Sequence, residues 1–431
     1  MSKVYIGMSL DALHHGHINL VKEARALGSV TLGLITDAAM AKHKRLPFLT
    51  WTQRKEIAEN LVGVDEVIAQ NEWDYAVNIR SIKPDFLVHG DNWDNEPSYL
   101  KSNALQALSE YGGKLIEIPY TRGVSSAGLV KNIIKIGTTP DHRRNTLRRL
   151  LDAKPLSQFL EAHSPISALI AENVSYENDG EVNFFDGFWS SSLTDSTEMG
   201  KPDIEALEIN ARLANINNIF DVTTKPLIMD ADTGGKSEHF AINVRSMERL
   251  GISAVIIEDK TGLKKNSLFG NEVEQSQEDA NIFGEKIRHA RDSLVSEDFM
   301  IVARIESLIL EKGLKDALNR AKIYIDCGAH GIMIHSRSKS PKEIFDFTEN
   351  FKKHYPSTPL VVVPTSFNEV VRKDFENAGV NILIYANHML RSSYPAMWNT
   401  ALDILKHGRT LEVEDRLISV KQILELIPGT K

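Results

Sequence analysis

The chain has 431 residues, of which 42% are hydrophobic and 25% charged, a composition typical of a soluble globular protein with room for two or three domains. A formal net charge of −8 argues against a protein that binds nucleic acid through a basic surface. No apolar run approaches membrane-spanning length and the N-terminus lacks the apolar core of a signal peptide, so we expect a cytoplasmic protein without membrane contact. The single cysteine, Cys327, excludes an internal disulfide and a thiolate zinc cluster, and its strand-like surroundings at 323–327 predict a buried, inert thiol.

The first predicted elements are a short strand at 4–6, a glycine turn and a helix at 18–26. The histidine-rich segment between them places His14, Gly16 and His17 where a strand tip passes into a helix N-terminus. The free N–H groups and the dipole of such a terminus favour phosphate. Two imidazoles one turn apart can add hydrogen bonds or positive charge without supplying a nucleophile. The alternative is an ordinary histidine-rich turn.

Several further segments follow this junction in a recognisable order. They are a strand with a terminal acid at 29–37, a basic segment at 42–45, QRK at 53–55, HGDNW at 89–93 and RGVSS at 122–126. With the histidine motif, they make residues 1–135 resemble the cytidylyltransferases that act on glycerol phosphate and related small alcohols or phosphonates. The last segment takes the place of the family's RTEGIST signature and departs from it, because Arg122 follows the threonine instead of preceding it.

This resemblance implies a Rossmann-like domain in which an acceptor oxygen attacks the α-phosphorus of CTP, releasing pyrophosphate with the help of Mg²⁺. His14 and His17 are the expected catalytic groups, assisted by a lysine from 42 or 44. The residues expected to bind the nucleotide are Gly7, His14, Gly16, His17, Lys42, Lys44, Asp91, Trp93, Arg122, Ser125 and Ser126. Two alternatives stay open: the lysines belong to a solvated basic loop, or the whole domain is a non-catalytic CTP-binding regulatory module.

A change of composition marks the expected domain boundary near Pro140, which gives domains at 1–138 and 139–431. The breaker cluster at 137–141 precedes a basic helical stretch at 142–151 that contains four arginines. We expect this helix to pack at the start of the second domain. Its arginines favour a solvated face or an interdomain contact over a nucleic-acid patch.

The second half of the chain repeats one pattern, an apolar run that ends in polar residues and is followed by an amphipathic stretch such as 314–321 or 342–353. The runs lie at 182–189, 226–229, 253–257, 300–303, 331–334, 359–363 and 381–386. This alternation predicts an α/β protein in which a parallel β/α barrel of TIM type follows the Rossmann-like domain, with the polar tips gathered at its C-terminal mouth. Asp230 and Asp232, spaced i and i+2 after a buried run, predict a metal site there. For any single tip, the alternative is a solvated loop start.

The polar tips also carry a second resemblance, which covers nearly all of residues 142–431. Its segments are WSSSL at 189–193, DSTEMGKPD at 195–203, DADTGG at 230–235, EDK at 258–260, KKNS at 264–267, VARIE at 302–306, IHS at 334–336 and ANH at 386–388. They resemble phosphoenolpyruvate mutase of the isocitrate lyase superfamily. The lyases have a cysteine in the KKNS loop and the phosphonopyruvate hydrolases have threonine in place of Asn266, so the loop favours a mutase. Gly262 and Leu263 replace the usual Phe-Pro, which predicts looser loop closure.

By this resemblance, the barrel interconverts phosphoenolpyruvate and phosphonopyruvate by a dissociative phosphoryl shift. The implied roles are Mg²⁺ binding by Asp230, Asp232 and Glu258, stabilisation of the moving phosphoryl group by Arg304 and His335, grip on the pyruvate part by Trp189 and Ser191, and water exclusion by a mobile loop with Asp203, Lys264 and Asn266. As alternatives, Asp259 and Lys260 pair with each other, Glu306 only orients Arg304, and Trp189 is core.

Together the two resemblances imply a bifunctional enzyme of phosphonate biosynthesis. The barrel makes the carbon–phosphorus bond, and the N-terminal domain activates a later phosphonate, such as 2-aminoethylphosphonate or 2-hydroxyethylphosphonate, as its CMP derivative. The rival for the barrel is a phosphonopyruvate hydrolase or a related lyase. We also expect a homo-oligomer, a dimer or tetramer formed through the barrel, because the related barrels exchange a C-terminal helix and the tail at 413–427 is apolar.

Overall fold

The computed structural model describes residues 1–91, 93, 97–119, 138–178 and 181–427. These residues divide into two compact units. The first contains the described residues up to 119 together with 149–154 and 175–184, and the second contains 138–148, 155–174 and the chain from 185 onwards.

The first unit contains a parallel sheet, with five strands in the described ranges, in the order β3-β2-β1-β4-β5. The strands are β1 (Lys3–Met8), β2 (Ser29–Ile35), β3 (Glu66–Gln70), β4 (Phe86–Gly90) and β5 (Lys114–Ile118). The helices are α1 (His15–Leu27), α2 (Asp37–His43), α3 (Trp51–Glu59), α4 (Ala76–Ile82) and α5 (Ser98–Ser109). The strand order reverses between β1 and β4, and ligands of such sheets bind in the crevice outside the strand ends at this point. The predicted Rossmann-like architecture is confirmed.

The predicted strand at 29–37 is shorter than expected. It ends at Ile35, and Thr36 caps α2 by accepting a hydrogen bond from the N–H of Ala39 at 3.3 Å. Asp37 therefore lies in the first turn of a helix, where its negative charge suits the helix dipole, and does not end the strand.

The basic stretch after the expected boundary is helix α6 (Pro140–Ala153). The helix begins at Pro140, so part of the predicted breaker cluster forms its first turn, where proline is well tolerated. The prediction of a solvated arginine face is wrong for this helix, because Arg143 and Arg144 are buried. The guanidinium of Arg143 donates hydrogen bonds to the carbonyls of Thr223 at 2.5 Å and Lys225 at 2.6 Å, which satisfy its charge inside the protein.

The second unit contains a closed barrel of parallel strands, and the described ranges supply eight of them. In barrel order they are β6 (Ser157–Glu161), β9 (Gly187–Ser190), β10 (Leu227–Asp230), β11 (Ala254–Glu258), β14 (Met300–Ile305), β15 (Gly331–Ile334), β16 (Leu360–Val362) and β17 (Ile382–Tyr385). The described residues also form two antiparallel pairs outside the barrel: β7 (Ser175–Asn178) with β8 (Glu181–Phe184), which belong to the first unit, and β12 (Lys260–Thr261) with β13 (Ser276–Gln277), which belong to the second. The predicted β/α barrel is confirmed.

Helices follow the strands around the barrel. They are α7 (Pro165–Asn173), α8 (Ser192–Glu198), α9 (Ile209–Phe220), α10 (Ser237–Leu250), α11 (Ala280–Asp292), α12 (Gly313–Asp326), α13 (Lys342–His354), α14 (Arg372–Ala378), α15 (His388–His407) and α16 (Val420–Leu426), with short 3₁₀ segments at Ser267–Glu272 and Leu411–Arg416. Helix α10 buries Phe240, Val244 and Met247 at helical spacing, which packs one face against the barrel core. None of the helices in the described ranges has both the length and the apolar character needed to cross a membrane.

In the second half of the chain, the structure differs from the strand predictions at three places. The run at 182–189 is not one strand, because its first residues belong to β8 and the barrel strand begins at Gly187. A side chain at Gly187 would approach the carbonyl of Pro226 to 2.5 Å, so only glycine fits this tightly packed strand start. The first barrel strand, Ser157–Glu161, was not predicted, since its SQFLE sequence lacks a continuous apolar run.

The third difference concerns residues 323–327, which form the end of helix α12 and its C-cap instead of a strand. The β-branched isoleucines there resemble a strand locally, but Ala317, Ala321 and Tyr324 are buried at helical spacing and decide the outcome. Cys327 is half-buried, and its sulfur accepts a hydrogen bond from Arg288 at 3.3 Å.

Candidate active site

The C-terminal ends of the barrel strands surround a pocket with about 540 Å³ of empty space, part of which is open to solvent. Every residue predicted for the barrel site lines it except Asp232, which is linked to the pocket through Lys264. The lining residues are Trp189, Ser191, Ser192, Leu193, Asp203, Asp230, Glu258, Lys264, Asn266, Ser267, Leu268, Arg304, Met333, His335, Val363, Thr365, Ala386 and Asn387. The polar tips therefore converge in one site and are not separate solvated loop starts. Trp189 is buried as core would be, yet its ring forms part of this wall.

The aspartates after β10 are held by the sharp turn of their own segment. Asp232 has a φ of 55°, and Gly234 and Gly235 that follow also have positive φ. This turn brings the N–H of Asp232 to 3.0 Å from Oδ1 of Asp230, whose Oδ2 accepts from the hydroxyl of Ser192 at 3.0 Å. Burial opposes ionisation of Asp230, but the nearby cations, with Lys264 first, hold its pKa below the usual value.

The Lys264 ammonium lies among the carboxylates. Its Nζ donates to the hydroxyl of Ser192 at 2.6 Å and to Oδ1 of Asp203 at 2.7 Å, and it also contacts Asp232. Burial alone would lower the pKa of Lys264, but the surrounding carboxylates, led by Asp232, raise it above the ordinary value. Lys264 is therefore a permanently charged group that neutralises this acidic part of the pocket.

The residues present fit a hard divalent cation such as Mg²⁺. Asp230, Asp232 and Glu258 offer only oxygen donors, the type that Mg²⁺ prefers. Oε1 of Glu258 is buried and makes no hydrogen bond within the described residues, although the Nζ of Lys260 lies 3.2 Å away. With the side chains as they stand, no group of three or more His, Cys, Asp or Glu in the described ranges is arranged as a metal cage.

A second charged group is built around Arg304. Its Nε donates to Glu306 at 2.6 Å, and its Nη2 donates to the hydroxyl of Ser267 at 2.6 Å and to Nδ1 of His335 at 2.8 Å. Because a guanidinium can only donate, Nδ1 of His335 accepts and the ring proton is on Nε2. Burial and the charge of Arg304 lower the pKa of His335, so the ring is neutral at pH 7.

Asp259 and Lys260 do not pair with each other. Asp259 accepts from the hydroxyl of Tyr324 at 2.7 Å and from Arg320 at 3.2 Å, whereas Nζ of Lys260 lies 3.2 Å from Glu258. Successive residues of an extended segment point in opposite directions, so the two neighbours reach different partners. Glu306 does more than orient Arg304, because it also accepts from Ser267 at 2.5 Å.

Arg212 is a functional candidate that was missed in the sequence. It is buried on helix α9 and donates to Oδ2 of Asp195 at 3.0 Å and to Oδ2 of Asp232 at 3.4 Å. A signal existed, because Arg212 shares the buried face of α9 with Ile216 and Ile219 at helical spacing. An arginine on an apolar face needs a buried acidic partner, and here the partners belong to the site.

In the first unit, the histidine motif forms the beginning of α1, as predicted. Nδ1 of His14 accepts from the N–H of Gly16 at 3.1 Å, and Nδ1 of His17 accepts from the N–H of His14 at 3.3 Å. Each ring therefore has its proton on Nε2 when neutral. Burial lowers the pKa of both rings, that of His17 to about 4, which leaves hydrogen-bond donation and not positive charge as their contribution at pH 7.

The other predicted nucleotide residues in the described ranges lie at the ends of neighbouring strands, in α2 or directly after it. Gly7 is near the end of β1, where any side chain would collide with the ring of Tyr75. Lys42 pairs with Glu72 at 3.7 Å across exposed surface, and the ammonium of Lys44 lies 4.6 Å from the ring centre of Trp73.

Asp91 and Trp93 follow β4, the neighbour of β1 in the sheet. The ring of Trp93 stacks on His89 with centroids 3.8 Å apart. These residues therefore follow the same edge of the sheet as the histidine motif, at its switch point. Arg122, Ser125 and Ser126 lie outside the described residues.

The fold and the two sites define a barrel enzyme with a carboxylate-rich, cation-lined pocket, joined to a nucleotidyltransferase-like domain. Comparison with protein families agrees: the model for phosphoenolpyruvate phosphomutase matches residues 147–405, and the cytidylyltransferase-like model matches residues 5–131. The chain belongs to the phosphoenolpyruvate phosphomutase family.

The similar proteins include both mutases and a hydrolase. The phosphoenolpyruvate phosphomutase of Tetrahymena pyriformis is 32% identical over 299 residues, covering 69% of this chain and 95% of that protein. The solved phosphoenolpyruvate phosphomutase from Streptomyces platensis subsp. rosaceus is 35% identical, with a TM-score of 0.59 over 65% of this chain and 93% of its own. A phosphonopyruvate hydrolase solved with oxalate and Mg²⁺ is 33% identical, with a TM-score of 0.58 over 67% and 95%.

Proposed function

We propose that the barrel interconverts phosphoenolpyruvate and phosphonopyruvate with Mg²⁺, and that the N-terminal domain transfers CMP from CTP to a phosphonate such as 2-aminoethylphosphonate or 2-hydroxyethylphosphonate. A place in phosphonate biosynthesis and a cytoplasmic location are part of this proposal. The observation that carries the proposal for the barrel is the joint lining of one pocket by the Asp230 and Glu258 carboxylates, the Arg304 and His335 donors and Asn266.

The proposed isomerisation breaks a phosphorus–oxygen bond and forms a phosphorus–carbon bond. The moving phosphoryl group is anionic, so it needs donors that stay in place while it changes partner. Arg304 meets this need because Glu306 and His335 fix its guanidinium, and the Nε2–H of neutral His335 is a second donor. Trp189 and Ser191 would hold the pyruvate part.

The acidic residues have a separate task. Asp230, Asp232 and Glu258 would hold the Mg²⁺, which when bound neutralises negative charge on the oxygens of the pyruvate part. From the loop side, the Lys264 ammonium pairs with Asp232 and also balances the charges of Asp230 and Glu258. With the carboxylates balanced in this way, the donors around Arg304 are available to bind the phosphoryl group.

Asn266 supports a mutase over a hydrolase. Its Nδ2 donates to Asp203 at 2.7 Å and its Oδ1 accepts from the N–H of Leu268 at 3.0 Å, so the amide ties the loop to the pocket wall. A loop held in this way excludes water from an electrophilic phosphoryl group. The rival, a phosphonopyruvate hydrolase, is supported by the 33% identity to the solved hydrolase.

For the N-terminal domain, the histidine motif supports CMP transfer. The Nε2–H groups of neutral His14 and His17 are donors at a helix N-terminus, an arrangement suited to phosphates. The departure at Arg122 supports the alternative, a CTP-binding regulatory module without catalysis.

Phosphorus NMR of the full chain with Mg²⁺ and CTP tests both activities. Separate tubes contain phosphonopyruvate, 2-aminoethylphosphonate and 2-hydroxyethylphosphonate. We expect phosphoenolpyruvate in the first tube and a CMP-linked phosphonate with pyrophosphate in one of the others. Free phosphate and pyruvate in the first tube would instead identify a hydrolase, and CTP binding without pyrophosphate in any tube would identify a binding module.

A further inference from the structure

Lys260 begins the short strand β12, two residues after Glu258, and the residue is only 3% exposed. Strand β12 pairs with β13, and the loop between them, residues 262–275, carries Lys264 and Asn266. Lys260 is not among the residues that line the pocket. It lies beneath the loop and cannot be explained as a group that touches substrate.

The ammonium of Lys260 is bound to the loop at three points. It donates to the carbonyl of Lys265 at 2.8 Å, to the hydroxyl of Ser267 at 2.9 Å and to Oε1 of Gln275 at 3.0 Å. An ammonium has three N–H donors, and the three acceptors in the loop use all of them. The same Nζ lies 3.2 Å from Glu258 and 3.5 Å from Glu306, which joins the loop to the carboxylates of the strand ends.

The loop has little apolar burial of its own to hold it. Leu263, Leu268 and Phe269 are 63%, 43% and 52% exposed. The position of the loop therefore depends on hydrogen bonds. Lys264 and Asn266 make them on the pocket side, and Lys260 makes them on the side away from the pocket.

We propose that Lys260 is a positioning residue that holds the loop at 262–275 closed over the pocket and thereby limits loss of the phosphoryl group to water. The inference rests on the proposed function of the barrel. In the competing reaction, water bonds to phosphorus through its oxygen, the phosphorus–carbon bond of phosphonopyruvate breaks, and a proton of the water goes to the methyl carbon of pyruvate. The products are pyruvate and phosphate.

The test compares the full-length chain with Lys260→Met, which keeps an unbranched side chain only one heavy atom shorter and removes its charge and its three donors. Phosphorus NMR with phosphonopyruvate and Mg²⁺ gives kcat and the share of turnover that ends as pyruvate and phosphate. Limited trypsin digestion, followed by mass spectrometry, gives the rate of cleavage after Lys264 and Lys265 without any need for activity. We expect cleavage to rise about tenfold, kcat to fall about tenfold and the hydrolytic share to rise about fivefold.

Two further variants keep the test decisive. Lys352→Met is the matched control, because Lys352 is a half-buried lysine whose Nζ donates to the carbonyl of Thr358 and to Oδ1 of Asn381, both 2.7 Å away and near the strand starts. It should lose stability without changing loop cleavage or the product ratio. Gln275→Ala removes one of the three acceptors of Lys260 at a half-exposed position, and should show the same changes to a smaller extent. It takes the place of Lys260→Met in the test if that variant does not fold.

Loop cleavage and a product ratio equal to those of the wild type in Lys260→Met, or in Gln275→Ala where the first variant does not fold, would overturn the inference. Failure of the proposed function looks different. In that case the wild-type chain gives no phosphoenolpyruvate from phosphonopyruvate, while faster loop cleavage in the variant still supports the positioning role of Lys260.

Discussion

Arg304 shows how single residues of this site depend on their partners. Its guanidinium reaches Glu306, Ser267 and His335 at once, through nitrogens on different sides of the planar group. A lysine has the same charge but cannot make this set of contacts from one plane. The geometry of the Arg304 cluster, and not its charge alone, is therefore what the proposed chemistry needs.

Arg304→Lys tests this point. We expect kcat for phosphonopyruvate to fall by about 10²–10³, the range seen when a fixed donor to a transition state is lost. Phosphorus NMR measures the rate, and thermal unfolding checks that the variant is folded. Arg288→Lys is the control, because Arg288 is an exposed helix arginine paired with Glu285 and should keep the wild-type rate. A rate near the wild type for Arg304→Lys would show that charge alone suffices.

His330 links pH to stability away from the pocket. It precedes β15, and its Nδ1 accepts a hydrogen bond from the N–H of Ile301 at 3.0 Å. Burial, with the charges of Arg148 and Arg291, lowers the pKa of His330 to about 3. Below about pH 6.5 the unfolded chain gains a proton that the folded chain does not, so this residue makes folding less favourable as pH falls from 6.5 towards 3.

His330→Asn should remove this dependence, since the amide oxygen of asparagine can accept the same hydrogen bond without titrating. Between pH 7 and pH 5 the free energy of unfolding of the wild type should fall about 2 kcal/mol further than that of the variant. Urea unfolding at the two pH values measures the difference. Parallel losses in both proteins would mean that His330 is protonated in the folded state.

At the level of elements, strands β6 and β17 pair with each other to close the barrel. They are also connected through the beginning of helix α15, which follows β17. Glu161, the last residue of β6, accepts from the N–H groups of Met389 and Leu390 at 3.0 and 3.1 Å, in the first turn of α15. Its other oxygen lies 2.5 Å from Nδ1 of His163. A buried carboxylate thus satisfies the free donors and the dipole of a helix that begins beside the pocket residue Asn387.

Glu161→Ala should leave those N–H groups without a partner and lower the free energy of unfolding by about 1–3 kcal/mol. Thermal or urea unfolding measures the loss. Glu349→Ala is the control, because its ion pair with Lys353 on α13 is exposed and should contribute less than about 1 kcal/mol. Equal effects of the two substitutions would contradict the capping role.

For the whole molecule, the last helices present an uncovered apolar surface. Neither α15 nor α16 has a buried residue. On α15 the exposed apolar residues recur at helical spacing as Tyr394, Trp398, Leu402 and Leu405, with exposures of 62%, 61%, 53% and 82%. A continuous patch of this kind is costly in water and is typical of an interface, which supports the predicted homo-oligomer.

Light scattering on the purified chain should give a mass of two or four times 48.2 kDa. Trp398→Glu combined with Leu402→Glu should shift the mass to that of one chain, because two charges would be buried without partners in the interface. Asn399→Glu, which adds a charge at an exposed polar position of the same helix, should leave the mass unchanged. A wild-type chain that is monomeric at micromolar concentration would overturn the prediction.

The sequence by itself determined most of the architecture and much of the site. Parallel barrel strands are buried on both faces, so runs such as 254–257 and 331–334 are apolar throughout and visible in the sequence. Side chains that follow such runs must meet at one end of the barrel, which is why the sequence pattern alone groups Asp230, Glu258, Arg304 and His335. The position of the histidine motif at a helix start could also be predicted from the sequence, because a helix start depends on residues within one turn.

Only the tertiary structure decided which partner each charged residue has. Lys264 meets Asp203 across 61 residues of sequence, and Asp259 meets Tyr324 across 65, so the alternative in which the neighbours Asp259 and Lys260 pair with each other is wrong. The strand at Ser157–Glu161 and the helical end of α12 were missed for a related reason, since packing against the closed barrel overrode their local preference. Charge pairing and burial are properties of distances in space, which local periodicity does not contain.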